Sequence, residues 1–263
     1  MTSTSDRERT ETGRGASVIV NVLRIIRCFT VEQPQQGVTE IAEKVGLHKS
    51  SVSRILATLE QERVVQRDEE TRRYRLGLGL IAVAGPLLAE LDVRRVALED
   101  LRELAELTGE TCALAVWNGE ASVTVEQVPS RHQIKHTSVL GSHYGTALSS
   151  TVQVFLAALD PAEAERLVSS GTIRLEEGWE SGAYLERLAR VRARGHALND
   201  RETSEDEVSL AAPVRDHRGE VIAAVLLAAP FYRADAETLP ELSARTRAAA
   251  EAISRRLGAV RAG

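Results

Sequence analysis

This chain is poor in the features that mark several large protein classes. It has only two cysteines, Cys28 and Cys112, far apart and each among apolar neighbours. That excludes a disulfide-stapled scaffold or a paired-cysteine metal site, and it fits two buried thiols. No stretch is long and apolar enough to span a bilayer, and the opening TSTSDRERTETGRGA lacks the apolar core of a secretory signal. A soluble, cytoplasmic protein is therefore expected. Walker loops, dinucleotide-binding glycine fingerprints and the Gly-x-Ser-x-Gly elbow of hydrolases are all missing. His132, His136 and His143 share one polar segment, but their spacing fits no common zinc template. No metal, cofactor or enzymatic activity is expected. A basic surplus is absent too, with 33 Lys and Arg against 38 Asp and Glu. The charge is uneven, however: residues 1–80 carry 13 basic against 11 acidic side chains, leaving 20 against 27 for the rest. A DNA partner would be held by a local basic face and by dimerisation rather than by net charge.

What is present starts at Val38–Arg75, VTEIAEKVGLHKSSVSRILATLEQERVVQRDEETRRYR. Ile41, Ala42 and Val45 fall on one helical face, Gly46 breaks the run, and Val52, Ile55, Leu56 and Leu59 restart the 3.6-residue period. Two short helices with Gly in the turn predict a helix-turn-helix, its second helix running from about Lys49 to Glu62. With the apolar positions inward, Lys49, Ser50, Ser51, Ser53 and Arg54 are left for a partner. Arg54 suits a bidentate contact to guanine, and the serines suit base edges or phosphates. Val64 to Leu76 alternates as a hairpin with the acidic tip DEET, the pattern of a wing. Arg67, Arg72, Arg73 and Arg75 flank that tip as candidate phosphate or minor-groove contacts.

TEIAEKVGLHKSSVSRILATLE followed by RRYRLG resembles the N-terminal winged helix of the IclR family of transcriptional regulators. Downstream, RGHALNDRETSEDEVSLAAPVRDHRGEVIAAV resembles that family's effector-domain signature, an acidic segment before an AAPV strand and a DxxG hairpin. The resemblance implies an α+β protein in which a winged helix-turn-helix is joined by a linker helix to a GAF-like α+β effector-binding domain. It further implies pairing into a homodimer, with a tetramer through the sensor domains.

Along the chain, residues 1–14 are polar and aperiodic and are expected to form a disordered arm. The winged helix-turn-helix is placed at 15–77, with Val18, Val22, Ile25, Ile26 and Phe29 as the stripe of a first helix. A linker helix is expected over 78–92, kinked or broken at Gly85-Pro86, and the effector and oligomerisation domain over 93–263. Within it, CALAVWNGEASVTVEQV predicts a hairpin about Asn118-Gly119. Helices are expected at about 153–158, 161–169, 183–194 and 239–257, and strands at 209–215 and 221–229 joined by DHRG.

Family members that bind small oxo acids use an acid, a cysteine and two serines on the strands. Aligning on AAPV places Asn199, Ser209, Leu226 and Ala228 at those positions. Gly145 stands where a proline is usual, and Val152-Gln153 replaces the usual Gly-Lys. Without the hydroxyls a small carboxylate has no donors to hold it. The expected effector is larger and partly apolar or aromatic, oriented by groups among Trp117, Tyr144, Thr146, Ser149, Asn199 and Ser209. The predicted function is a ligand-responsive regulator, a repressor, on a pseudo-palindromic operator; the alternative is a DNA-anchored module that tethers a partner protein without sensing a small molecule.

Overall fold

A computed structural model of the protein describes residues 18–30, 32–90 and 92–259; the side chains of 86–92 fall outside the description. The arm expected at residues 1–14 lies outside the described residues. The chain forms two compact units that part between residues 90 and 91.

The first unit begins with α1 (residues 18–26), followed by α2 (Val38–Val45) and α3 (Lys49–Gln61). Between α2 and α3, Gly46 takes a left-handed φ of 69° and returns its N–H to Ala42 O. Glycine meets no Cβ penalty there, so the turn is tight. Ile25, Phe29, Ile41, Ala42, Val45, Val52, Leu56 and Leu59 close one core with Val65 and Tyr74 of the wing. Val18, expected on that stripe, is instead exposed, because it sits two turns before Ile25, where α1 extends past the core. Ile55 is only partly buried. Cys28 is half-buried rather than buried, its thiol donating to Arg24 O at 3.3 Å. The wing pairs β1 (Val65–Arg67) with β2 (Tyr74–Leu76) in antiparallel register. Gln36 adds a third rung through reciprocal 2.9 Å bonds with Tyr74. Helix α4 (Gly79–Glu90) runs unbroken through Gly85-Pro86, where a kink or a break was expected. Proline forfeits one backbone bond to the preceding turn, but the bonds on either side can carry a helix past it.

The second unit holds α5 (Asp92–Thr108), β3 (Thr111–Trp117), β4 (Ser122–Val128), β5 (His143–Tyr144), α6 (Ser150–Ala158), α7 (Pro161–Ser169), α8 (Ser181–Arg194), β6 (Ala197–Asp200), β7 (Glu207–Arg215), β8 (Val221–Pro230) and α9 (Leu239–Arg256). The six strands form one antiparallel sheet in the order β5-β4-β3-β8-β7-β6. Period-two alternation sorts its side chains into two layers. Leu114, Leu210, Ala212, Val225 and Leu227 pack beneath α5 and α9. Ala115, Ala211 and Ala224 face α6, α7 and α8, whose buried side chains include Phe155, Leu156, Tyr184 and Leu188. Small residues on this second face let α6 approach the sheet closely. The helices at 161–169 and 239–257 and both hairpins stand where their periodicity places them; β5 and β6, two and four residues long, were not expected.

Candidate DNA interface and effector face

Helix α3 presents Lys49, Ser50, Ser53 and Arg54 exposed and Ser51 half-buried, while Val52 and Leu56 face the core. No side chain caps it and its first turn carries no acid, so its positive end is unshielded toward an anion. At the wing tip, Asp68 accepts the N–H groups of Thr71 (2.8 Å) and Glu70 (3.1 Å), which hold its carboxyl below the usual range. The tip acid is thus turned onto its own backbone.

The four wing arginines are not equivalent. Arg73 donates to Glu40 of α2 at 2.6 Å and to Gln35 O at 3.2 Å. Glu40 also accepts the Gly37 N–H at 2.8 Å, and these two donors lower its pKa, the backbone one most. Arg73 therefore ties the wing to α2. Half-buried Arg67 lies 5.6 Å over the Tyr74 ring. Arg75 reaches Gln66 at 3.0 Å yet stays exposed, and Arg72 is exposed at a left-handed φ of 59°. Arg72 and Arg75 are the wing cations left toward solvent.

In the second unit the expected effector residues separate into two groups. Asn199, Ser209 and Ala228 fall in one cross-strand row, continued by Thr111 of β3, and Leu226 lies in the next row beside Ala211. Their polar atoms are already used. Asn199 bonds Thr203 and accepts Glu202 N at 2.9 Å, and Ser209 Oγ meets Ser150 Oγ at 3.0 Å. The second row runs Trp117, Ser122, Tyr144. Trp117 is six residues from Thr111 along β3, roughly 20 Å at about 3.3 Å per residue. A single aromatic ring does not span from one row to the other.

The second row is less satisfied. Trp117 stacks on Phe155 of α6 with centroids 5.5 Å apart. Tyr144 OH meets Ser138 Oγ at 3.3 Å, and that hydroxyl meets Thr124 Oγ1 at 2.8 Å. Between Trp117 and Tyr144 sits Ser122, 0 % exposed, its hydroxyl without a partner. Thr146 donates to one oxygen of Glu176, whose other oxygen is buried and unpartnered. The Ser149 hydroxyl meets that of Thr151 at 3.2 Å. Ser122, Phe155 and Glu176 join the candidate site residues and were not singled out from the sequence. Ser122 is marked by register alone, and Glu176 meets Thr146 from 30 residues further along the chain.

Among the described residues no group of three or more His, Cys, Asp and Glu could hold a metal ion. His136 contacts Glu207, and His132 stands beside Gly109. Nor is any described helix long and apolar enough to cross a membrane.

A winged helix with a basic reading face, followed by an α+β domain, defines a DNA-binding transcriptional regulator of the two-domain kind. Comparison with known proteins narrows this. Residues 18–69 match the IclR helix-turn-helix domain and residues 86–255 match the bacterial transcriptional regulator IclR C-terminal domain. The glycerol operon regulatory protein of Streptomyces griseus is 31 % identical over 244 residues, covering 90 % of this chain and 94 % of that one. A crystallised domain of another IclR-family regulator is 50 % identical, covering 63 % of this chain and 97 % of that one, with a TM-score of 0.61. The crystal structure of an IclR homolog from Microbacterium hydrocarbonoxydans, complexed with 4-hydroxybenzoate, shares the fold at a TM-score of 0.76 and 22 % identity, covering 91 % of this chain and 98 % of that one. The chain belongs to the IclR family of bacterial transcriptional regulators. Its relatives regulate transcription and are not enzymes.

Proposed function

We propose that the protein is a cytoplasmic repressor whose operator affinity is set by a hydroxylated aromatic effector. The observation that carries the effector class is the row Trp117–Ser122–Tyr144: a stacked aromatic wall beside a fully buried hydroxyl with no partner. A buried polar group left unpaired costs about 1–3 kcal/mol, and a ligand group that pairs it recovers that cost. An aromatic ring would pack on Trp117 and Phe155, its phenolic O–H donating to the free oxygen of Glu176 and another oxygen accepting from Ser122. Tyr144, Thr146 and Ser149 frame that contact. Asn199, Ser209, Leu226 and Ala228 lie on the same sheet face, farther from that contact. Co-crystallisation of a relative of the same fold with 4-hydroxybenzoate agrees with this class.

On the DNA side, Lys49, Ser50, Ser51, Ser53 and Arg54 read or flank the bases, while Arg72 and Arg75 lead the phosphate contacts and Arg67 and Arg73 support the wing. Exposed apolar side chains on α1 (Val18, Ile19, Val20 and Leu23) and on or beside α4 (Leu78, Ile81 and Val83) support pairing of two chains through residues 15–92. Two winged helices would occupy a pseudo-palindromic operator and exclude the transcription machinery, with tetramers forming through the domain at 93–263. The effector acts by binding one arrangement of the winged helices better than the other.

A thermal-shift screen with hydroxybenzoates and related phenolic acids tests the effector class. A member at 100-fold its Kd should stabilise the protein by about 2.7 kcal/mol, and Trp117→Ala should abolish that shift while leaving operator binding intact. A panel in which no phenolic compound shifts the transition, while a small oxo acid does, would overturn it.

A further inference from the structure

A cavity of about 400 Å³ lies at the β6 edge of the sheet, lined by Arg187, Arg190 and Arg194 of α8, by Leu198 and Asp200 of β6 and by Glu202. Its size is that of a small-molecule site. Three and four residues apart, the arginines share one helix face.

Their charges are unevenly met. Arg187 forks onto Glu202 at 2.6 and 2.5 Å and also reaches Leu198 O at 2.7 Å and Gln153 of α6 at 2.8 Å. Asp200 is taken by Arg201 at 2.9 Å. Both acids of the cavity are thus already paired. Arg190, by contrast, has only Glu186 at 4.0 Å, and Arg194 has no carboxylate partner among the described residues. Burial, then the neighbouring Arg187 and Arg190, holds the Arg194 pKa below the ordinary guanidinium value. Even so, arginine stays charged. The cavity therefore joins one cation paired only at 4.0 Å, Arg190, and one with no carboxylate partner among the described residues, Arg194, to two paired carboxylates that can still accept hydrogen bonds.

We propose that this cavity binds the phosphate monoester of a small sugar, the phosphate on Arg190 and Arg194 and the sugar hydroxyls donating to Asp200 and Glu202. A phosphate dianion matches two guanidinium forks. Carboxylates opposite would repel a second acidic group, which argues against a dicarboxylate. Leu198 supplies an apolar surface for the C–H face of the ring. This site is separate from the Trp117 row, and its test needs neither operator nor aromatic effector.

Calorimetric titration of the full chain at fixed ionic strength with glucose 6-phosphate, glucose, inorganic phosphate and glutarate tests the proposal. Glucose 6-phosphate should saturate one site per chain and bind tighter than phosphate or glutarate, while glucose alone should give no heat. Arg190→Ala and Arg194→Ala should each weaken it by about tenfold, and Arg255→Ala, an equal loss of charge on α9 outside the cavity, should not. Asp200→Ala should weaken glucose 6-phosphate but not inorganic phosphate. Equal losses in all three arginine variants would reduce the effect to general charge attraction. Absence of saturable binding, or glutarate binding tightest, would overturn the proposal.

Discussion

At the scale of single residues, the proposed docking sets Arg54 against bases and Arg72 against the backbone, so the two should behave differently. Arg54→Ala should weaken binding to the specific operator by about 1–3 kcal/mol and relax preference at one base pair. Arg72→Ala should weaken all sequences alike and lower the salt slope by about one. Anisotropy titrations on operator and random DNA separate the two, and a loss at Arg72 confined to one base pair would contradict its phosphate role. The sequence exposes both candidates, since the apolar period of α3 leaves Arg54 outward. It does not distinguish Arg73 from Arg72, because Arg73 answers to Glu40, 33 residues upstream. The same holds in the second unit, where Ser209 reads as a ligand contact until its partner, Ser150, 59 residues earlier, is seen.

At the scale of elements, most of the fold is written in local pattern. The DHRG turn is fixed by Asp216, whose carboxylate accepts the N–H groups of Arg218 (2.9 Å) and Glu220 (3.0 Å). Elements too short to carry a period, β5 and β6, escape such reading, and Pro86 is a weaker breaker than its chemistry suggests. Packing of backbone on backbone is also invisible in sequence. At the wing exit, a Cβ on Gly77 would stand 2.2 Å from Arg63 O, and Gly77 N bonds Val64 O at 2.8 Å. Gly77→Ala should therefore displace the wing and cost about 1–3 kcal/mol, the usual range for overpacking. Urea denaturation checks this, and an unchanged midpoint would mean that the backbone of Arg63 gives way freely.

At the scale of the whole molecule, the chain carries a reading head in one unit and a partly unsatisfied aromatic face in the other. A ligand moves such a system only through differential affinity for its states: taking an equilibrium from 1:99 to 99:1 needs about 5.5 kcal/mol. A tenfold change in operator affinity needs about 1.4 kcal/mol, within reach of pairing one buried hydroxyl and one carboxylate oxygen. An aromatic ligand bound to the second unit is thus expected to change DNA affinity. The most direct test is fluorescence anisotropy of DNA from immediately upstream of the protein's own gene, at two salt concentrations, with and without the phenolic compound that stabilises the protein most. Binding well above random DNA is expected at both salts, weakened about tenfold or more by the compound. Operator binding that the compound leaves unchanged would contradict that expectation, and would favour a DNA-anchored module that holds a partner protein without sensing a ligand.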